Sequence, residues 1–109
     1  MGINAFNPCG NTVAFTANVA APTPVQAASN TLGGNQYRVI NSGTVTVFMG
    51  VASTSSDASN NAVVVSTTSP AIPLLSGTDE ILSFPPNAYF TGITSSGTAI
   101  IYVTPGDGL

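Results

Sequence analysis

The chain has 109 residues and a formal net charge of −3, and charged side chains make up 5% of it, against about 25% in an ordinary domain. With 43% hydrophobic residues and a mean hydropathy of +0.36 it is not a disordered composition, and at this length about 65% of the extended-chain surface can be buried in one core. A single cation, Arg38, excludes the basic footprint of nucleic-acid binding; the longest apolar runs, 62–65 and 99–103, fall far short of the ~18 residues of a membrane span; and a lone Cys9 excludes an intrachain disulfide.

In chain order, residues 1–11 set Ile3, Phe6 and Cys9 among turn formers, with Pro8 against regular structure, and predict an arm or edge segment. Thr12–Val19 alternates with Val13 and Phe15 on one side and predicts a strand. Pro22 and Pro24 make 20–30 a connector or edge strand, because proline cannot donate to a ladder. Leu32–Asn35 is a turn, and Gln36–Ile40 and Thr44–Ala52 are strands, the second with Val45, Val47 and Met49 on one face. Ser53–Asn61 is a polar loop, Ala62–Ser66 and Ile72–Leu75 are short strands, and Asp79–Phe84 is a strand with acidic residues at its mouth. After Pro85-Pro86-Asn87 come strands at Tyr89–Thr94 and Thr98–Thr104, and the tail from Pro105 stops the last one.

Ser-Gly-Thr occurs three times between apolar runs, at 42–44, 76–78 and 96–98. Either one hairpin solution is used three times, with glycine (Gly43 in the first) supplying a positive φ, or the repeat is coincidence in a Ser/Gly/Thr-rich chain. Both readings make these segments turns. About seven to nine short strands at 8–12-residue spacing, with no segment of helical period, predict an all-β fold: an antiparallel β-sandwich, jelly-roll-like, without significant helix. The organisation is one domain, with an arm and edge strand over 1–30 and the sandwich body over 31–109.

Catalytic chemistry finds few candidates. The chain has no His, no Lys and no Trp. Asp79 and Glu80 are adjacent, so on a strand they point to opposite faces and form no acid/base pair; as solvated residues they discourage edge pairing. A Ser nucleophile lacks a basic partner, Cys9 has no positive neighbour in sequence to hold a thiolate, and scattered carboxylates make no metal site. No catalytic, metal or cofactor residue is expected, and the protein is read as non-enzymatic.

Interaction is the better expectation. One charge per roughly 1,100 Å² of surface means that a standard patch of about 800 Å² contains less than one charge and can be covered with little ionic desolvation. The candidate interface residues are Ile3 and Phe6 on the arm, Arg38 as the sole cation, free to pair with Asp79, Glu80 or a partner's carboxylate, and Tyr89 and Phe90, one of which must face outward on a strand. A glycan-binding module is a rival reading, drawing on Asn residues and aromatics, but Tyr37, Phe48 and Tyr102 sit at core-compatible parity.

From Tyr37 onward, the string YRVINSGTVTVFMG…PLLSGTDEILSFPPNAYFTGITSSGTAIIYVTPGDGL resembles small β-sandwich virion proteins of tailed bacteriophages, the decoration or cement type that sits on capsids. The resemblance lies in a charge-poor, Gly/Ser/Thr-rich sheet and a Thr-Pro-Gly-Asp-Gly end rather than in a residue-level motif. It implies a homo-oligomer, often a trimer, that clamps major capsid protein subunits by packing and strand addition. The location it implies is the virion surface after synthesis in the host cytoplasm; a neck, tail or fibre component is the alternative.

Overall fold

Period-two alternation of β-branched and aromatic residues drives this fold, because each strand has one apolar row to bury. The computed structural model describes residues 7–8, 10–27, 36–63 and 71–107. Among them the strands are β1 Asn7–Pro8, β2 Val13–Ala17, β3 Val25–Gln26, β4 Gln36–Asn41, β5 Val47–Ala52, β6 Ile72–Leu74, β7 Asp79–Ser83, β8 Tyr89–Ile93 and β9 Ala99–Asp107, with one helix, α1 Ser55–Asn61. They form an antiparallel β-sandwich. One sheet has the order β1-β9-β4-β7, with β2 also on β9, and the other is β3-β8-β5-β6. A parallel bridge, Asn18 to Ile93, stitches the end of β2 to β8 and so joins the sheets along one side.

The inward rows of β2, β4 and β5 meet on the parity read from the sequence, with Phe15 and Ala17, Tyr37 and Val39, and Val47 and Met49 buried; Ile101 and Val103 of β9 are buried with them. Aromatic contacts hold the layers together. Tyr37 of one sheet meets Phe90 of the other edge-on at 5.0 Å, and Phe84 completes the group at 6.0 and 5.7 Å. Such pairs add about 0.5–1.5 kcal/mol each beyond area burial. The Tyr37 hydroxyl donates to the Pro85 carbonyl at 2.7 Å and accepts from the Ala88 amide at 3.2 Å, which anchors the Pro85-Pro86-Asn87 turn. Burial raises the Tyr37 phenol's pKa, opposed by the hydrogen bonds to Ala88 and Asn87.

The element layout departs from the sequence reading at several points. Residues 53–61 are not all loop: α1 is capped by Thr54, whose Oγ1 accepts from the Asp57 amide at 3.2 Å, and Ala58 is the helix residue that is buried. Thr54-x-x-Asp57 is the capping pattern that signals such a start, obscured by the helix's short length and polar composition. Pro105 does not stop β9, which runs on to Asp107. Pro105 lies opposite Tyr37, in the interval between the β1 and β2 pairings, where a missing donor is tolerated. The third difference concerns the Ser-Gly-Thr segments. Each leads from one sheet to the other, β4 to β5, β6 to β7 and β8 to β9, so none closes a hairpin. The predicted turn at Leu32–Asn35 and most of the strand at Ala62–Ser66 lie outside the described residues, and Ala62 and Val63 are in no strand.

Candidate functional site

The three Ser-Gly-Thr crossovers gather at one end of the sandwich, and a buried amide clasps the first two. Asn41, the last residue of β4, is fully buried. Its Nδ2 donates to the carbonyls of Val45 (3.0 Å) and Leu74 (2.9 Å), and its Oδ1 accepts from the Gly43 amide (3.0 Å). Its backbone is also bonded, the N–H to Thr78 O at 2.9 Å and the C=O from Gly77 N at 3.0 Å. Ser76 Oγ reaches the Gly43 carbonyl at 2.7 Å, and Ser42 donates to Ile100 O through both N (3.1 Å) and Oγ (2.8 Å). Thr94 braces the third crossover separately: its Oγ1 donates to Gly97 O at 2.7 Å and its amide to Asn18 O at 2.9 Å.

The glycines in these loops do different jobs. Gly77 and Gly97 have φ of 78°, the left-handed conformation that disfavours other residues. Gly43 is not left-handed, contrary to expectation. It is needed because a Cβ there would lie 2.3 Å from the Ala99 Cβ, so the first crossover can press directly on the start of β9. The repeated tripeptide thus marks three arches with two different steric reasons for glycine.

This end presents a neutral surface. No residue of 42–46, 75–78 or 94–98 is charged. Leu75 (65% exposed) and Val19 (57% exposed), the most exposed large apolar side chains among the described residues, both lie in this region, Leu75 before the Ser76-Gly77 turn and Val19 beside the Asn18–Ile93 bridge. Because the loops are already cross-bonded, covering this surface would order little further chain.

The outer face of the five-stranded sheet has a different character. Arg38 forks onto Asp79, with Nε to Oδ1 at 2.9 Å and Nη2 to Oδ2 at 2.6 Å, and both side chains are about half exposed. The Asp79 hydrogen bond raises the Arg38 pKa, and Arg38 in turn lowers that of Asp79. This is the one ion pair among the described residues, so the expected interface cation is already matched within the chain. A groove of about 720 Å³ opens beside the pair, bounded by Pro8 and Thr12 on one side, Ile81 on the other, and Thr104 between. Thr12 and Thr104 touch through their hydroxyls at 2.6 Å.

Of the other predicted interface residues, Ile3 and Phe6 lie outside the described residues. Tyr89 is half-buried, and Phe90 is fully buried in the core, which corrects its assignment to a surface: as the inward member of the Tyr89-Phe90 pair it has nothing left to offer a partner. Tyr102, expected at core parity, faces outward with Ile81 and Ile100, while Ile101 and Val103 are buried. The run Ala99–Val103 has no polar residue to reveal which parity points inward. Phe48 is likewise only half-buried, between the buried Val47 and Met49.

Among the described residues no three His, Cys, Asp or Glu side chains converge on a point that could hold a metal ion, and no helix is long and apolar enough to cross a membrane. No protein-family model, curated protein or solved structure matches the chain.

Proposed function

We propose that this protein is a non-enzymatic structural subunit of a virus particle, a capsid-decoration protein that self-associates and packs on the major capsid protein. The observation that carries the reading is the neutral, cross-bonded crossover end with Leu75 and Val19 standing out of it. Such a surface suits permanent burial, since it brings no ions to be desolvated and little loop entropy to lose. The phage-like style of the sequence from Tyr37 onward supports the virion setting, with a trimer as the oligomer and a neck or tail position as the alternative location. Attachment then rests on apolar contact at about 25 cal/mol per Å² rather than on exposed ion pairs, which contribute about 0–1 kcal/mol each and are screened by salt.

The test uses particles carrying the protein, washed in sodium chloride from ~0.05 to ~1 M, a range that shortens the Debye length to about 3 Å, and separately in urea. The protein stays with the pelleted particles at every salt concentration and leaves in urea before the shell disassembles. Leu75→Ser and Val19→Ser each weaken attachment by roughly tenfold, from about 1–2 kcal/mol of lost burial. Release by salt alone, or a serine double variant that attaches and self-associates like the wild type, overturns the reading.

A further inference from the structure

The groove beside Arg38 and Asp79 uses none of the crossover residues, although Asp79 directly follows Thr78, and it makes a different kind of surface. Its polar groups are fixed by the sheet itself. Arg38 and Thr104 are direct register partners on adjacent strands, and Arg38 is also opposite Ile81 on its other flank, which puts Asp79 on the diagonal. Thr12, Thr104, Arg38 and Ile81 therefore form a row across the sheet, spanning roughly 14 Å at ordinary strand spacing. That length and the volume of about 720 Å³ suit a small ligand of one or two rings.

The hydrogen-bonding inventory then narrows the chemistry. The guanidinium has five N–H groups and Asp79 takes two, so three remain to donate. Each Asp79 oxygen accepts one bond and retains acceptor capacity. The Thr12–Thr104 contact consumes one hydroxyl hydrogen and leaves one O–H to donate, along with free lone pairs. Donors and acceptors thus alternate across a few ångströms, while the net charge of the pair is zero. An anion meets Asp79 and a cation meets Arg38, so neither is favoured. A neutral polyhydroxyl compound can donate to the carboxylate and accept from the guanidinium at once. Ile81 supplies an exposed apolar wall for a C–H face, and Tyr102, two residues along β9 from Thr104 on the same outer face, stands in the next row.

We infer that this groove is a binding site for a neutral saccharide, held by adjacent hydroxyls on the Arg38–Asp79 pair and the Thr12–Thr104 hydroxyls. The inference stands independently of the packing reading, because it uses none of the crossover residues. For a hexose-sized ligand the expected dissociation constant is ~1–10 mM.

The experiment is an amide-resolved NMR titration of the full chain with glucose, galactose, mannose, N-acetylglucosamine, maltose and lactose, with inorganic phosphate and glucosamine as charged probes. At least one neutral sugar shifts the amides of Thr12, Arg38, Ile81 and Thr104 saturably, and the charged probes do not. Thr104→Val, which keeps side-chain shape on an exposed face, and Asp79→Asn each weaken that sugar by ~tenfold, as expected for the loss of one hydrogen-bonding group in a fixed array. Spectra of the variants without ligand report whether the sheet is intact; Thr104→Val alone decides the matter if Asp79→Asn disturbs it. Silence of the groove toward every neutral sugar, equal affinity in Thr104→Val, or tighter binding of phosphate or glucosamine overturns the assignment.

Discussion

Replacing Asn41 tests whether one buried amide holds the first two crossovers together. In Asn41→Leu the branched four-atom skeleton of the side chain is kept, but the carbonyls of Val45 and Leu74 and the amide of Gly43 each lose a partner. At about 1 kcal/mol net per neutral hydrogen bond, the three together amount to about 3 kcal/mol, and any of these groups left without water raises the figure. That is a large share of the roughly 5–15 kcal/mol that stabilises a domain of this size, and it corresponds to a fall in Tm of about 12 °C or more. Urea unfolding followed by far-UV circular dichroism and tyrosine fluorescence reads the change directly, as a lower midpoint at unaltered slope. Asn41→Asp sharpens the test. The new carboxylate faces two carbonyl oxygens where Nδ2 donated, so its charged form is disfavoured and its folded pKa lies above the unfolded value of about 3.9. The penalty relative to wild type is therefore small at pH values below the unfolded pKa, grows as pH rises through the interval between the two pKa values, and is full at neutral pH. A destabilisation below about 1 kcal/mol in Asn41→Leu, or an Asn41→Asp penalty that does not change between pH 4 and pH 7, refutes the clasp.

Two further predictions separate steric from electrostatic causes. Gly43→Ala must push the first crossover off Ala99 and destabilises by about 1–3 kcal/mol; Gly77→Ala, with open space but φ of 78°, loses only about 1 kcal/mol, and Gly77→Asn recovers most of that while Gly43→Asn recovers none, as thermal unfolding of the four variants will show. The carboxyl of Asp79 titrates below the ordinary aspartate range because Arg38 hydrogen-bonds its charged form, so whatever the pair adds to stability is present above the unfolded pKa and is lost as pH falls through the folded one. Carbon-detected NMR titration should show the Asp79 midpoint rising in Arg38→Met; an unchanged midpoint would mean the fork is not formed in solution.

Much of the strand layout is legible without coordinates, for a physical reason. The side-chain period of a strand is two, so Phe15 and Ala17 across Thr16, or Val45 and Val47 across Thr46, declare an inward row because a polar residue separates them. The same rule required one of Tyr89 and Phe90 to point inward, and the turn chemistry of Ser-Gly-Thr marked where the chain must reverse. Arg38 was legible as a residue in need of an acid, with Asp79 among the possible partners.

Other features depend on which strands come together, and local sequence does not contain that. A glycine turn can close a hairpin or carry the chain across to a second sheet; the choice falls to whichever pairing buries both apolar faces, and here all three segments cross. The role of Gly43 exists only because Ala99, 56 positions later, sits against it. Asn41 reads as an ordinary turn residue until its amide is found at the meeting point of loops that start at positions 42 and 75. In the unbroken apolar run Ala99–Val103 both parities look alike, and pairing with β2 and β4 decides that Ile101 is buried and Tyr102 exposed. The groove likewise needs Thr12, Arg38, Asp79 and Thr104 from four separate stretches of chain, brought to one face by the register of β9 between its neighbours. Composition and period thus determined a neutral, strand-built chain, while the long-range pairing of its strands decided which of those neutral residues meet and which stand free.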